Sequence, residues 1–303
     1  MRPSSSLRQF NRLGVTTFEQ ADQLVERLRA ALLESKAPET PARYIFRGQG
    51  DASWGLVPSA FRSGTKLGYE SQKFCRVSDG TMGQTWEQGN AELTAVMEFL
   101  QLANRVGLDI PIDHKWLREW NPFRNLVGTP PIGTGVWPPQ EFYEALALAQ
   151  HHGVPTRLLD FTYDPLVAAF FAACNPPKNA KDIAVWSVDI EAILRLVDAV
   201  HEIVIVTVSK EHNKNLSAQK GLFLLDQSGS LWRNSLLDVS PGGRELVKKY
   251  CLPACESANL LSLLGKLSVD RAHLMPSFDG VVRELEARRR RRRDRIPRIG
   301  KDA

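Results

Sequence analysis

Arg47 stands in the run Tyr44-Ile45-Phe46-Arg47-Gly48-Gln49, among aromatic and aliphatic neighbours that favour a short buried strand. A guanidinium in such a place needs an anionic partner. A phosphate or a carboxylate fits, because the group is planar, permanently charged and able to hold two oxygens at once. Gly48 beside it would let a ligand approach the backbone closely. A buried aspartate bracing the fold would serve Arg47 equally well. The segment from Gln150 to Thr162 is denser in functional groups. Gln150, His151, His152, Thr156, Arg157, Asp160 and Thr162 place amide, imidazole, hydroxyl, guanidinium and carboxylate groups within thirteen residues. Plain readings exist here too: Arg157 pairing with Asp160, or one histidine capping a helix. Taken together the set favours a site. A third segment, Gln219-Lys220-Gly221-Leu222-Phe223, leads a glutamine into a strand, where its amide can bind a sugar hydroxyl.

The elements that must position these groups follow from apolar spacing. Phe18, Ala21, Leu24, Val25, Leu28, Ala31 and Leu32 recur at helical intervals to about Glu34, with Thr16 or Thr17 as the cap. Trp54, Leu56 and Val57 alternate into Pro58 as a second strand after Gln49. Residues 64–89 and 121–139 read as long loops, the first followed by a helix from Ala91 to Val106. Gln140 to His151 is helical, and Gly153 and Pro155 close it. Asp164 and Pro165 then have the chemistry of a cap and a first helical position for the apolar run Leu166 to Ala173. Asp182 to Val188, Ile203 to Val208 and Gly221 to Leu225 read as strands. Arg244 to Tyr250, Cys255 to Leu264 and Arg271 to Leu274 read as helical pieces.

The chain has 303 residues, 43% hydrophobic and 24% charged, enough for one large globular domain. The expected division is a loose leader over 1–15, one domain over 16–286 and a disordered basic tail over 287–303. Without the six arginines of 288–293 the formal charge falls from +5 to −1, so the basic character belongs to the tail. That run would bind the phosphates of a nucleic acid with little sequence preference, or simply stay solvated. Four cysteines lack metal-ligand spacing and no metal is expected. The first twelve residues have no apolar signal core, and no stretch approaches the roughly 20 apolar residues that span a bilayer. A cytoplasmic protein with no membrane partner is expected.

Together the motifs resemble the FRG domain, named for its Phe-Arg-Gly motif. Phe46-Arg47-Gly48, Trp54-Gly55-Leu56-Val57-Pro58 and Arg62 are similar to its opening. Ala149 to Thr162 with Asp164 to Ala172 is similar to its longest motif, and Gln219 to Phe223 to the one near its end. FRG domains occur mainly in bacteria and their phages, and the family name carries no assigned reaction. More distantly, Phe46-Arg47-Gly48, then Phe161-Thr162, then Gln219 resemble the ordered motifs of ADP-ribosyltransferases. That resemblance implies an α+β fold with a mixed or antiparallel central sheet and flanking helices. It also implies NAD as substrate, consumed by ADP-ribosyl transfer to an acceptor macromolecule or by glycohydrolysis, as a toxin or phage-defence effector would do. Arg47, Gly48, Gln49, Thr156 and Arg157 would contact the dinucleotide. Thr162 and Gln219 would orient its nicotinamide ribose, with Asp160 or His152 supplying acid-base function. The sequence departs from the pattern at Gln219, where those enzymes usually carry a catalytic glutamate. The other reading is a non-enzymatic nucleotide sensor or nucleic-acid-binding module.

Overall fold

Strands in this chain read as alternating apolar residues, and their pairing makes a single sheet. The computed structural model describes residues 14–35, 43–62, 65, 81–112, 117, 138–192, 203–209, 214–226 and 247–295. The strands are β1 (Gly14–Thr17), β2 (Tyr44–Gln49), β3 (Leu158–Thr162), β4 (Asp182–Asp189), β5 (Ile203–Val206), β6 (Gly221–Asp226) and β7 (Val247–Pro253). Their order is β1-β7-β4-β2-β3-β6-β5, antiparallel throughout except for β1 against β7. Flanking helices are α1 (Ala21–Ser35), α2 (Thr81–Arg105), α3 (Tyr143–His151), α4 (Pro165–Cys174), α5 (Lys214–Ala218), α6 (Ser257–Lys266), α7 (Arg271–Leu274) and α8 (Phe278–Arg295). The fold is therefore α+β with a mixed central sheet.

Strand periodicity sends successive side chains to opposite faces. In β4, Ile183 and Val185 join a core with α1, α4 and α6, while Trp186 and Val188 join the core on the other face. Phe46 and Thr162 are directly paired and so share a face. On that face α1, α4 and α6 cover the β7-β4-β2 end, and α2 and α3 cover β3, β6 and β5.

Helix α4 fixes the centre of the molecule. The Asp164 side chain accepts from the Leu166 N–H at 3.0 Å, and Pro165 follows at the first helical position. The helix is apolar nearly all round and buried accordingly. It lies directly on β2: a Cβ on Gly48 would sit 1.9 Å from the Ala168 carbonyl oxygen. The glycine is thus required by the helix, and a ligand is not what crowds it.

Several expectations are corrected. Residues 14–17 are an edge strand, so the leader ends before Gly14, and Thr16 and Thr17 pair with β7 and cap no helix. Helix α1 begins at Ala21, where the Glu19 and Gln20 N–H groups are taken by the Gln23 side chain. Trp54 to Val57 is irregular, held by turns. Helix α2 starts at Thr81, inside the segment expected to be a loop. Val247–Pro253 is a strand where a helix was expected. The arginine run lies on α8, which extends to Arg295, and the rest of the expected tail, 296–303, lies outside the described residues. The expected loop at 121–139 falls almost wholly outside the described residues, as does the leader before Gly14.

Candidate functional site in a split sheet

Strand β2 pairs with β4 over all six of its residues, and β3 pairs with β6 over all five. Between β2 and β3 only Phe46 and Thr162 are paired. Beyond that point the sheet opens, and a cavity of about 900 Å³ occupies the gap. This lies within the roughly 300–1,000 Å³ usual for small-molecule sites. Phe46, Arg47, Gly48 and Gln49 all line it. Four consecutive strand residues face alternate sides, so the cavity runs along the edge of β2.

Arg47 bridges the opening. Its Nη1 donates to the Asp160 carbonyl oxygen at 2.8 Å and reaches the Asp160 carboxylate at 3.4 Å. The side chain is only 13% exposed. Its Nε is buried and has no hydrogen-bond partner among the described residues. Burial lowers the Arg47 pKa, the Arg62 charge adds to that, and Asp160 opposes it. A guanidinium remains charged even so. A buried, charged donor without an acceptor costs free energy that an anionic ligand would recover.

The Asp160 carboxylate is 61% exposed. Gln150 Nε2 donates to its other oxygen at 2.6 Å. Gln150 Oε1 in turn accepts from the Thr156 hydroxyl, and the Thr156 N–H donates to Ser59 Oγ at 3.0 Å. The chain Ser59, Thr156, Gln150, Asp160, Arg47 is thus one connected polar path to the cavity wall. At the paired end of β3, the Thr162 hydroxyl donates to the Gln219 carbonyl at 2.7 Å and accepts from the Asp164 N–H at 3.0 Å. Gln219 also lines the cavity, with Nε2 donating to the Leu274 carbonyl at 3.1 Å. It sits in the turn between α5 and β6, two residues before the strand it was expected to enter. Lys220 follows with φ of +49°, a left-handed conformation that strains a residue with a Cβ. Its ammonium meets Asp164 Oδ2 at 2.8 Å, so the capping carboxylate serves both helix and turn.

Arg47, Gly48, Gln49, Asp160, Thr162 and Gln219 therefore share one cavity. Arg157, Thr156 and His152 do not line it. Arg157 forms a buried two-point pair with Glu92, Nε to Oε2 at 2.8 Å and Nη2 to Oε1 at 3.1 Å, in place of the expected alternative partner Asp160. Thr156 acts through Gln150. His152 holds the C-cap of α3 and stacks on Phe99, with ring centres 6.0 Å apart. Its neighbour His151 has a lowered pKa, chiefly from burial and then from the nearby His152. Gln49 is occupied at both ends, accepting from Trp186 Nε1 at 2.6 Å and donating to the Gly55 carbonyl at 2.9 Å.

Sequence reasoning gave no role to Trp54, Phe61 and Arg62, which line the same cavity. For Trp54 and Arg62 a signal was present, since both stand in the segment that resembles the FRG opening beside the Arg47 strand. Cys174 also reaches the cavity, and burial pushes its thiol pKa up. Among the described residues no cluster of three or more histidine, cysteine or acidic side chains is arranged for a metal ion.

The class these features define is an α+β protein with a ligand-sized cavity in a split sheet and an arginine in its wall. Within it, residues 133–181 match the family model of the FRG domain. The matched stretch includes α3, β3 and α4, hence Gln150, Asp160 and Thr162; Arg47 and Gln219 lie outside it. No curated protein and no solved structure matches the chain.

Proposed function

We propose that the cavity binds a nicotinamide dinucleotide and that the protein breaks its nicotinamide–ribose bond, passing ADP-ribose to an acceptor or to water. The observation that carries this reading is the unpaired, buried Arg47 Nε in a cavity that also holds Thr162 and Gln219. Arg47 takes the pyrophosphate through a charge-assisted contact. Phe61, Phe161 and Trp54 offer flat apolar surface for the ring systems. With Nε2 held by Leu274, the Gln219 amide turns its oxygen into the role of acceptor for a ribose hydroxyl. Thr162 sets the Gln219 backbone and so acts on the ribose at one remove. Bond breaking leaves positive charge on the sugar, which Asp160, the one carboxylate among the described lining residues, stabilises. Asp160 can also accept a proton from the attacking acceptor, a task the Gln219 amide cannot perform.

A second reading is a dinucleotide sensor without turnover. It is favoured by the internal use of the Thr162 hydroxyl and the Gln219 amide, both already bonded within the fold. Incubating the purified protein with labelled dinucleotide, with and without cell lysate, decides between them. Released nicotinamide, with or without labelled acceptor, supports the enzyme. Binding by calorimetry with no release supports the sensor. Neither binding nor release sinks both and leaves Arg47 as a bracing arginine.

A further inference from the structure

Helix α8 buries a carboxylate and leaves several apolar side chains exposed. A surface helix ordinarily turns its apolar stripe inward and its charges outward. Here Glu284 is the buried side chain of the helix, held by Arg288 at 2.9 Å, by Arg291 at 2.8 Å and by the Arg271 N–H at 3.4 Å. Arg288 also reaches Asp270 at 2.7 Å. Gly280 lets this polar face close on the chain before it, since a Cβ there would lie 2.0 Å from the Met275 carbonyl oxygen. An adjoining face, with Val281 one turn from Glu284, carries Phe278, 93% exposed, and Val281, Val282 and Leu285, each near half exposed. Their spacing of three and four residues makes one continuous stripe along the helix. One turn further on, Arg289 continues that stripe, with Arg290 beside it, both exposed.

We infer that α8 is an interfacial helix that lies on an anionic lipid surface, with the apolar stripe inserted and the arginines on the headgroups. The combination separates this occupant from the others. A nucleic acid would use the arginines but has no place for a phenylalanine-valine-leucine stripe along a helix. A second copy of the chain would find only four apolar side chains on this face, where a stable interface takes about 20–30 residues a side. A lipid surface needs no shape complement, and it rewards apolar insertion and basic charge together. The charge distribution agrees, since the six arginines of 288–293 alone turn the formal charge from −1 to +5. Nothing here depends on what the split-sheet cavity binds. The helix lies on the membrane; no described helix is long and apolar enough to cross one.

The test is co-sedimentation of the full chain with phosphatidylcholine vesicles, with and without phosphatidylserine, at low and at moderate salt. The wild type should pellet with the anionic vesicles, stay in solution with the neutral ones, and bind less as salt rises. The double variant Phe278→Ser, Val282→Ser should lose at least about tenfold in binding, and so should Arg289→Glu, Arg290→Glu. These positions are solvent-exposed, so unchanged melting temperatures should show that both variants are folded. The inference is overturned if the wild type binds no anionic vesicle. It is overturned equally if it binds duplex DNA better than vesicles with no effect of the Phe278 and Val282 changes. Self-association in sedimentation, abolished by those same changes, would assign the stripe to a second copy instead.

Discussion

Two arginine–carboxylate pairs draw on residues in or just before strand β3, and they do opposite things. Arg157 meets Glu92 through two short bonds with both side chains sealed in the core. Arg47 meets Asp160 through its backbone carbonyl and one long carboxylate contact, with Nε left over. The first pair is complete. Its partners satisfy one another, and its value lies in not being broken, since removing one member strands a charge in a low-dielectric interior. The second leaves Nε without a partner among the described residues, beside a cavity. An arginine beside apolar neighbours is therefore no pointer to a binding site until its hydrogen-bonding capacity has been accounted for.

Breaking the complete pair should have the largest effect. Glu92→Ala should cost about 3–5 kcal/mol in chemical denaturation, because it leaves Arg157 buried and alone. Replacing both members, Glu92→Leu with Arg157→Met, should recover much of that loss. If the single substitution costs under about 1 kcal/mol, the interior pair is no brace.

Arg47→Ala should invert the pattern. Stability should change by less than about 1 kcal/mol, since the aspartate it leaves is largely exposed to water. Dinucleotide affinity should fall by about 2–5 kcal/mol in calorimetry, as expected for a charged group removed from a buried contact. Arg47→Lys should not restore it, because an ammonium lacks the planar fork. A large stability loss with unchanged affinity would make the two arginines alike.

Gln219→Ala should sharpen the division between binding and rate. Nicotinamide release should slow by about 3 kcal/mol, on the order of a hundredfold, while affinity changes little, because the ribose hydroxyl matters most as charge develops. A change confined to affinity would return Gln219 to a ground-state role.

The smallest effect concerns a third charged cluster, Asp270 with Arg288 and His273. Burial pushes the Asp270 pKa up, but hydrogen bonds from His273 and the Arg288 charge pull harder, and the net shift is downward. A carboxylate with a depressed folded pKa stabilises fully above its ordinary value of 3.8 and loses that contribution as pH falls through the folded value. Asp270→Asn keeps a helix-capping side chain while removing the charge. The wild type should melt a few degrees above this variant near pH 7, for a difference on the order of 1 kcal/mol, and the gap should close below about pH 3.8. A gap that persists in acid would show that the charge is not what docks α8.

Much of the frame was legible because its signals are local. Asp164, Pro165 and the apolar run after them specify α4 by capping chemistry and composition, and the helix forms there. Gly221–Asp226 and Asp182–Asp189 are strands because their β-branched and leucine-rich runs fit a pleat. The failures also have local causes. Val247–Pro253 carries Lys248 and Lys249, which read as a helical surface. In the fold Lys249 lies over the Trp186 ring at 4.6 Å and donates to the Ala52 carbonyl, so tertiary contacts make a strand of it. Helix α2 begins among glycine and threonine residues whose weak propensity gives no helix signal.

For the site, the sequence by itself determined the residue types that could meet: Arg47, Asp160, Thr162 and Gln219, on segments whose local patterns place them at strands or strand ends. It could not determine which carboxylate each arginine would take. Glu92 is 65 residues from Arg157, and Asp160 is 113 from Arg47. Nothing in the spacing of either arginine favours one acid over the other. That choice was made by the packing of α2 against α3 and by the parting of β2 from β3 after a single paired position. The packing of α4 on β2 decides that Gly48 serves a helix, and Gln219 lines the cavity where the sheet parts. Local chemistry acts over a few residues of chain, whereas the pairing of charges and the opening of a sheet depend on which distant surfaces exclude water together.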